Sequence, residues 1–148
     1  DQQIFLDLPK GRVKPPNNRY VLEDLFTILN TYTNIKYFAV SNVNYPEDLS
    51  IYIKVIPNRI ILVPKIERPT AVENIKKIID VIPTTEKMVM LDHDDLYSNL
   101  IKNKESSSKF TEYITILKEN CEKNNVTLLR TIGVIFSDEE KRTTQYIK

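Results

Sequence analysis

The stretch that decides the fold is residues 59–99, RIILVPKIERPTAVENIKKIIDVIPTTEKMVMLDHDDLYSN. An apolar run ending in Lys65-Ile66-Glu67 comes first, an amphipathic helix pattern follows, and a second apolar run ends in aspartates. Continuous apolar runs are typical of strands buried on both faces of a parallel sheet. Because chemistry in such folds takes place at the C-terminal ends of the strands, we expect Lys65 and several carboxylates at one sheet edge.

Strands and helices alternate along the rest of the chain. The predicted strands are 4–8, 36–43, 59–66, 87–91 and 126–136, and the predicted helices are 21–32, 46–56, 69–82, 110–123 and a segment from Ser137 onwards. The polar segment 101–108 is the best candidate for a mobile loop or an insertion. The order βαβαβαβαβα predicts one α/β domain over residues 1–148, with a parallel sheet and right-handed crossovers.

Composition narrows the class of protein. The chain has 148 residues, of which 41% are hydrophobic and 28% charged, as is ordinary for one soluble globular domain. A net charge of +1 gives no reason to expect a nucleic acid or a membrane surface as partner. A single cysteine, Cys121, and the lack of a signal-peptide pattern favour a cytoplasmic protein. With only Gly11 and Gly133, a glycine-rich phosphate loop is excluded.

Lys65 and Glu67 are the first candidates for chemistry. They lie two residues apart on a predicted strand and therefore point to the same face. Burying a lysine and a carboxylate is costly unless they are paired or bound to something. Two interpretations stay open: a structural ion pair, or a cation near an anionic substrate with Glu67 as a metal ligand.

Three aspartates, Asp92, Asp94 and Asp95, crowd the end of the next predicted strand. Close carboxylates repel one another unless a cation lies among them, and such oxygen ligands suit Mg²⁺ or Mn²⁺. The alternative is a solvated acidic turn. The only histidine, His93, is interpreted as a bystander, because this kind of metal site prefers oxygen.

Weaker candidates surround these residues. Ser41 and Thr131 lie near the ends of predicted strands and are expected at the same edge. The loop after the first strand is either a solvated loop or an anion site. Its basic residues are Lys10, Arg12, Lys14 and Arg19.

Five segments in chain order resemble the pyruvate kinases and their phosphoenolpyruvate/pyruvate-barrel relatives. The run 60–79, IILVPKIERPTAVENIKKII, is similar to the Lys-Ile-Glu segment of that family. Residues 4–13, IFLDLPKGRV, resemble its Leu-Asp-x-x-Gly-Pro-x-Ile-Arg strand. The other similar segments are 22–43, with LEDL and YFAVSNV, then 88–96, MVMLDHDDL, and 121–133, CEKNNVTLLRTIG.

The resemblance implies a (β/α)₈ TIM barrel and a metal-dependent transferase or lyase. Lys65 matches the family's catalytic lysine, which stabilises the transferring phosphoryl group and the enolate. Glu67 and Asp95 match the two carboxylates that hold Mg²⁺ or Mn²⁺. The implied ligand is a small anionic 2-oxo acid or a phosphoenolpyruvate-like molecule. The residues matched on the substrate side are Arg12, Ser41 and Thr131.

The sequence also departs from that family. His93-Asp94 replaces the Arg-Gly before the metal-binding aspartate, and residues 132–135, IGVI, replace Gln-Met-Leu-Glu. The lid domain, the first two strands, the eighth strand and the regulatory C-terminal domain have no counterpart in this sequence. We therefore do not expect nucleotide-dependent kinase activity. Metal-assisted enolate chemistry on a small 2-oxo acid needs fewer groups.

A full barrel has eight βα units and roughly 250 residues, and the five units predicted here fall short of that. Three explanations are open: residues are missing from this chain, which begins with Asp1, or the fold closes through a partner in an oligomer, or the sheet is open. An open sheet would expose strand edges.

Two other functions compete with the barrel enzyme. The run VMLDHDDL also resembles the first motif of haloacid-dehalogenase-type phosphatases. Asp92 would then be the nucleophile and Asp94 the acid/base, with Thr131 and Lys141 as phosphate-binding residues. The third hypothesis is a non-catalytic pseudoenzyme or assembly subunit, which the missing family elements favour.

Overall fold

The computed structural model describes residues 2–8 and 20–131, and all structural statements concern this part of the chain. The strands are β1 (Ile4–Leu8), β2 (Ile35–Val40), β3 (Ile61–Ile66), β4 (Met88–Leu91) and β5 (Thr127–Arg130). The helices are α1 (Phe26–Thr31), α2 (Ser50–Val55), α3 (Pro69–Glu73), α4 (Ile75–Val81), α5 (His93–Lys102) and α6 (Lys109–Lys123). Short 3₁₀ turns at Leu22–Leu25 and Pro46–Leu49 lead into α1 and α2.

The strands form one parallel sheet in the order β1-β2-β3-β4-β5. Each strand therefore pairs with the next one along the chain, and the order does not reverse within the described residues. With right-handed crossovers, such an order places every connecting helix on the same face of the sheet, as in the wall of a barrel. The predicted α/β class, as part of a barrel, is confirmed.

The two faces of the sheet are buried differently. Phe38, Leu62 and Leu91 point into the apolar core that the strands share with the helices, and each is almost fully buried. Val63 alternates with Leu62 and so faces the other side, together with its register partner Ala39. Both are buried as well, but neither belongs to the core on the helix side. Continuing along β3, this second face carries the charged side chains of the candidate site.

One helix was missed by the sequence interpretation. The helix α5 begins at His93 and ends at Lys102, so the expected loop or insertion at 101–108 is wrong for its first two residues. Asp92 starts α5 as its N-cap, and Leu96 and Leu100 are buried on one face of it. The remaining polar residues form the connection between α5 and α6. The acidic run after β4 is therefore the first turn of a helix.

Other boundaries differ by a few residues. The strand expected at 36–43 ends at Val40, because Asn42 takes a left-handed conformation with φ of 57°. The helix expected at 69–82 is two helices that meet at Asn74. The predicted helix from Ser137 and the part of the expected strand beyond Thr131 lie outside the described residues. No helix in the described part is long and apolar enough to cross a membrane.

Candidate functional site

Charged side chains meet at the C-terminal ends of β1, β3 and β4. Lys65 is in the last part of β3 and Glu67 follows that strand, so both point to the face opposite the helices. Asp7 comes from β1 and Asp92 from the residue after β4. The structure therefore brings Lys65 and Glu67 together with Asp92 and Asp95, as the sequence predicts, and adds Asp7.

Lys65 lies at the centre of three carboxylates. Its Nζ is 3.3 Å from Glu67 Oε1, 3.5 Å from Asp7 Oδ2 and 3.8 Å from Asp92 Oδ2. Asp7 is two strands away, where it pairs in register with Ala39 of β2, and Ala39 pairs with Val63, two residues before Lys65 on the same face of β3. Because alanine has a small side chain, the lysine can reach across β2 to Asp7.

Lys65 is charged in this environment. Only 12% of its side chain is exposed, and burial alone would lower its pKa. The negative charges of Asp7, Glu67 and Asp92 outweigh burial, and the pKa of Lys65 is raised. A lysine of this kind acts as a fixed positive charge and is a poor amine nucleophile.

Glu67 is the most buried acid of the site, with 5% of the residue exposed. Its Oε2 accepts a hydrogen bond of 2.7 Å from the backbone N–H of Asn42, and its Oε1 faces Lys65. Burial raises the pKa of Glu67, while the Asn42 amide and Lys65 lower it; burial prevails. A second cation beside Glu67 would therefore favour its ionised form.

The two carboxylate oxygens of Asp92 make different contacts. One carboxylate oxygen, Oδ1, accepts a hydrogen bond of 3.2 Å from the backbone N–H of Asp95 and caps α5. The other oxygen, Oδ2, faces Lys65. The cap fixes the direction of the first turn of α5 and brings the Asp95 side chain to the same edge as Glu67.

Glu67, Asp92 and Asp95 together could hold a metal ion. Each offers a carboxylate oxygen, and these oxygens lie within 4.8 Å of one another. Oxygen ligands from two or three carboxylates fit Mg²⁺ or Mn²⁺, which complete their shells with water and substrate oxygens. Glu67 is buried, Asp92 is half-buried and Asp95 is exposed, so the group opens towards solvent on one side.

The remaining predicted residues are placed less directly. Ser41 is buried immediately after β2, next to Asn42. Thr131 follows β5, where its hydroxyl lies 3.4 Å from both the His93 amide and the Leu91 carbonyl. Those contacts are with backbone groups and join β5 to the start of α5. Arg12 lies outside the described residues.

His93 and Asp94 lie in the first turn of α5, and neither belongs to the three-carboxylate group. His93 is buried, and within the described residues both ring nitrogens lack a hydrogen-bond partner. Burial and the charge of Arg130 lower the pKa of His93, so its imidazole is neutral near pH 7. The interpretation of His93 as a bystander to the metal group fits this position.

Sequence reasoning missed two residues of the site. Asp7 alternates with Leu6 and Leu8 in the first predicted strand, and this lone carboxylate in an apolar strand was an available signal. Asn42 contributes through its backbone amide, for which the residue type gives only a weak signal. Asparagine tolerates the left-handed conformation better than most residues.

Comparisons with known proteins describe the fold. No family model matches the chain, and no curated protein matches its sequence. Among solved structures, RipC from Yersinia pestis superposes with a TM-score of 0.63 and 14% identity, over 88% of this chain and 63% of RipC. A variant of the citrate synthase SbnG gives a TM-score of 0.58 and 16% identity, over 84% of this chain and 56% of SbnG.

This chain thus spans less than two thirds of either neighbour's length. At such low identity the similarity concerns the fold alone. It agrees with the sequential parallel sheet, because these neighbours are TIM-barrel-like. The comparisons therefore support a TIM-barrel-like α/β fold, and the sequence resemblance to pyruvate kinases in particular remains a hypothesis.

Proposed function

We propose that this protein binds Mg²⁺ or Mn²⁺ at Glu67 and Asp95, with Asp92 beside them, for enolate chemistry on a small 2-oxo acid. The observation that carries the proposal is the group of three carboxylates with the largely enclosed ammonium of Lys65 at 3.3 Å from Glu67. The metal would supply Lewis-acid polarisation of the substrate oxygens. The sequence resemblance to the phosphoenolpyruvate/pyruvate barrels supports the same assignment.

In this proposal Lys65 acts as an electrostatic catalyst. Its pKa is raised, so the ammonium stays protonated and faces the negative charge that develops on an enolate oxygen. Asp7, Glu67 and Asp92 hold the ammonium in place. Because this positive charge is already oriented, little reorganisation is needed as negative charge develops on the substrate oxygen.

A small anionic ligand fits the site better than a nucleotide. The described part of the site offers one lysine beside several carboxylates, so a multiply charged phosphate chain would be repelled without the metal. One structural neighbour is named as a citrate synthase, and citrate is also a small carboxylic acid. We infer pyruvate-like substrates and a transferase or lyase reaction.

The proposal is tested by calorimetric titration of Mn²⁺ into the wild type, with and without oxalate as a planar mimic of the enolate. We expect Mn²⁺ binding that oxalate strengthens, and a loss of affinity of about 10-fold or more in Glu67→Gln, because a direct ligand is removed. Glu86→Gln is the matched control, since Glu86 is a half-exposed acid paired with Lys36 away from the site. It should bind like the wild type.

Absence of Mn²⁺ binding at millimolar concentration would refute the proposal, and so would equal binding by Glu67→Gln. The two other functions considered from the sequence gain no specific support from the geometry. Asp92, the nucleophile of the phosphatase hypothesis, has one oxygen engaged as the cap of α5 and the other turned to Lys65.

A further inference from the structure

Three residues other than glycine have positive φ angles among the described residues: Asn42 at 57°, Lys104 at 58° and Asn125 at 53°. For two of them the end of a helix explains the conformation. Lys104 follows α5, where Lys104 N–H donates to Ile101 and Glu105 N–H donates to Leu100. Both bonds are those of a Schellman motif, in which a left-handed residue ends the helix.

The same pattern accounts for Asn125 at the end of α6. Asn125 N–H donates to the Glu122 carbonyl and Val126 N–H donates to the Cys121 carbonyl. Asn42 is different, because it follows a strand that ends at Val40 and no helix ends there. The left-handed region costs most residues other than glycine about 1 kcal/mol or more, and asparagine less, so what holds Asn42 there after a strand is a contact other than a helix end.

Asn42 makes that contact through its backbone. Its backbone N–H donates the 2.7 Å hydrogen bond to Glu67 Oε2, across 25 residues of sequence. A carboxylate can accept about four hydrogen bonds or metal contacts. One is taken by this amide and one by Lys65 at Oε1. The amide thus fixes the plane of the carboxylate and leaves accepting positions on it for a metal.

Asparagine side chains also hold the backbone around Asn42 in place, through hydrogen bonds to its carbonyl groups. The Asn44 side-chain amide donates to the Asn42 carbonyl at 3.2 Å, and the Asn74 side-chain amide donates to the Asn44 carbonyl at 3.2 Å. Asn74 also donates to the Thr70 carbonyl at 3.0 Å, at the junction of α3 and α4. The loop after β2 is therefore tied to the helix layer as well as to Glu67.

We propose that Asn42 is a positioning residue for the metal site, whose left-handed backbone aims its N–H at Glu67 and thereby orients Glu67 as a metal ligand. This inference rests on the function proposed above. Hydrogen-bond partners of metal ligands typically change metal affinity by about 10- to 100-fold when they are lost. Here the partner is a backbone amide, so a substitution acts by changing the preferred φ angle of residue 42.

The experiment compares Asn42→Val with Asn42→Gly, using Mn²⁺ alone as the probe. A β-branched residue disfavours the left-handed region, whereas glycine adopts it freely. We expect Asn42→Val to weaken Mn²⁺ binding about 10- to 100-fold and Asn42→Gly to retain wild-type affinity. Binding is measured by calorimetry and by loss of the six-line electron paramagnetic resonance signal of free Mn²⁺.

Asn125→Val is the matched control, because Asn125 has the same backbone conformation but ends α6 and does not touch Glu67. It should lose thermal stability as Asn42→Val does and still bind Mn²⁺ like the wild type. If Asn42→Val is too unstable to titrate, Asn42→Ala makes the same comparison with a smaller backbone penalty. Wild-type affinity in a folded Asn42→Val or Asn42→Ala protein would overturn the inference, and so would equal weakening in Asn125→Val.

The outcome also separates this inference from the proposed function. If the wild type binds Mn²⁺, Glu67→Gln binds it more weakly and folded Asn42→Val binds it with wild-type affinity, only the role of Asn42 is refuted. If the wild type binds no Mn²⁺, or Glu67→Gln binds it unchanged, the metal site itself is refuted and the positioning role with it.

Discussion

The positive charge of Lys65 sets the electrostatic balance of the candidate site. Its ammonium neutralises part of the charge of Asp7, Glu67 and Asp92 without any metal. A divalent ion at Glu67 would therefore compete with Lys65 for the same carboxylate. The lysine stabilises the metal-free protein, weakens metal binding and favours an anionic ligand, and these three effects can be separated by one substitution.

We expect Lys65→Met to destabilise the metal-free protein and to strengthen Mn²⁺ binding. Methionine fills a similar volume without charge, so Glu67 loses its ion pair while staying buried, at a cost of roughly 3 kcal/mol. Mn²⁺ should then restore more stability to Lys65→Met than to the wild type. Oxalate should strengthen Mn²⁺ binding less than in the wild type, because the ammonium facing the ligand is gone while the metal can still bind the oxalate oxygens. Urea unfolding with and without Mn²⁺ measures the first effects, and calorimetry the last.

Lys36→Met is the control for this prediction. Lys36 pairs with Glu86 at 3.7 Å, and both side chains are at least one third exposed, so removing this solvent-screened pair should leave the free energy of unfolding nearly unchanged. Weaker Mn²⁺ binding in Lys65→Met than in Lys36→Met would contradict the competition between lysine and metal.

The sequence allowed some residues of the site to be predicted because strand alternation is a strong rule. Lys65 and Glu67 had to share a face, and the strand ends had to bring Asp92 and Asp95 near them. The contribution of Asn42 could not be predicted in the same way. It depends on a backbone φ angle and on an amide that every residue except proline carries.

At the scale of elements, α5 shows why an acidic cluster was hard to interpret. Asp92 caps the helix, while Asp94 and Asp95 occupy the first turn, where the helix dipole favours negative charge. The same residues therefore suit a helix start and a metal site. Leu96 and Leu100, four residues apart, were the available helical signal. The polar segment that follows them obscured it.

The helix α6 was predicted almost to the residue, and it carries the one cysteine in its buried stripe. Phe110, Tyr113, Leu117 and Cys121 face the core, as their spacing predicted. Burial raises the pKa of the Cys121 thiol from the ordinary value of 9.0 to about 11. This shift gives a prediction about the stability of the helix layer in alkaline solution.

Below about pH 9 the thiol is protonated in both states and does not make the free energy of unfolding depend on pH. Between about pH 9 and pH 11 the unfolded chain loses the proton while the folded protein keeps it, so stability falls as the pH rises. We expect wild type to lose roughly 2 kcal/mol more than Cys121→Ala between about pH 8 and pH 10.5. Urea midpoints measure this difference, since other titrating groups are common to both proteins. Equal losses would refute a buried thiol.

At the scale of the whole molecule, the sequential order of the strands matters most. Each βα unit covers its own part of the same sheet face, and the units share one apolar core from Leu22 to Val126. Alternation in the sequence was enough to predict strands, helices and a parallel sheet. It could not show whether the sheet closes into a barrel, because closure depends on which strands pair with the outer edges of β1 and β5.

The shared core leads to a prediction about cooperativity. Leu62 lies at the centre of the sheet, is 1% exposed and packs in the core that all the helices contribute to. If the βα units form one domain, Leu62→Ala should lower the free energy of unfolding by about 2 to 5 kcal/mol and should destabilise every unit together. Helix content, followed by circular dichroism, and tyrosine fluorescence should then give the same urea midpoint.

Ile51→Ala is the control for this prediction, because Ile51 is 53% exposed on α2, and it should shift that midpoint very little. Two separate transitions in Leu62→Ala would show that the units fold independently, in which case the sheet edge that carries Lys65 and Glu67 would be stabilised only by its immediate neighbours.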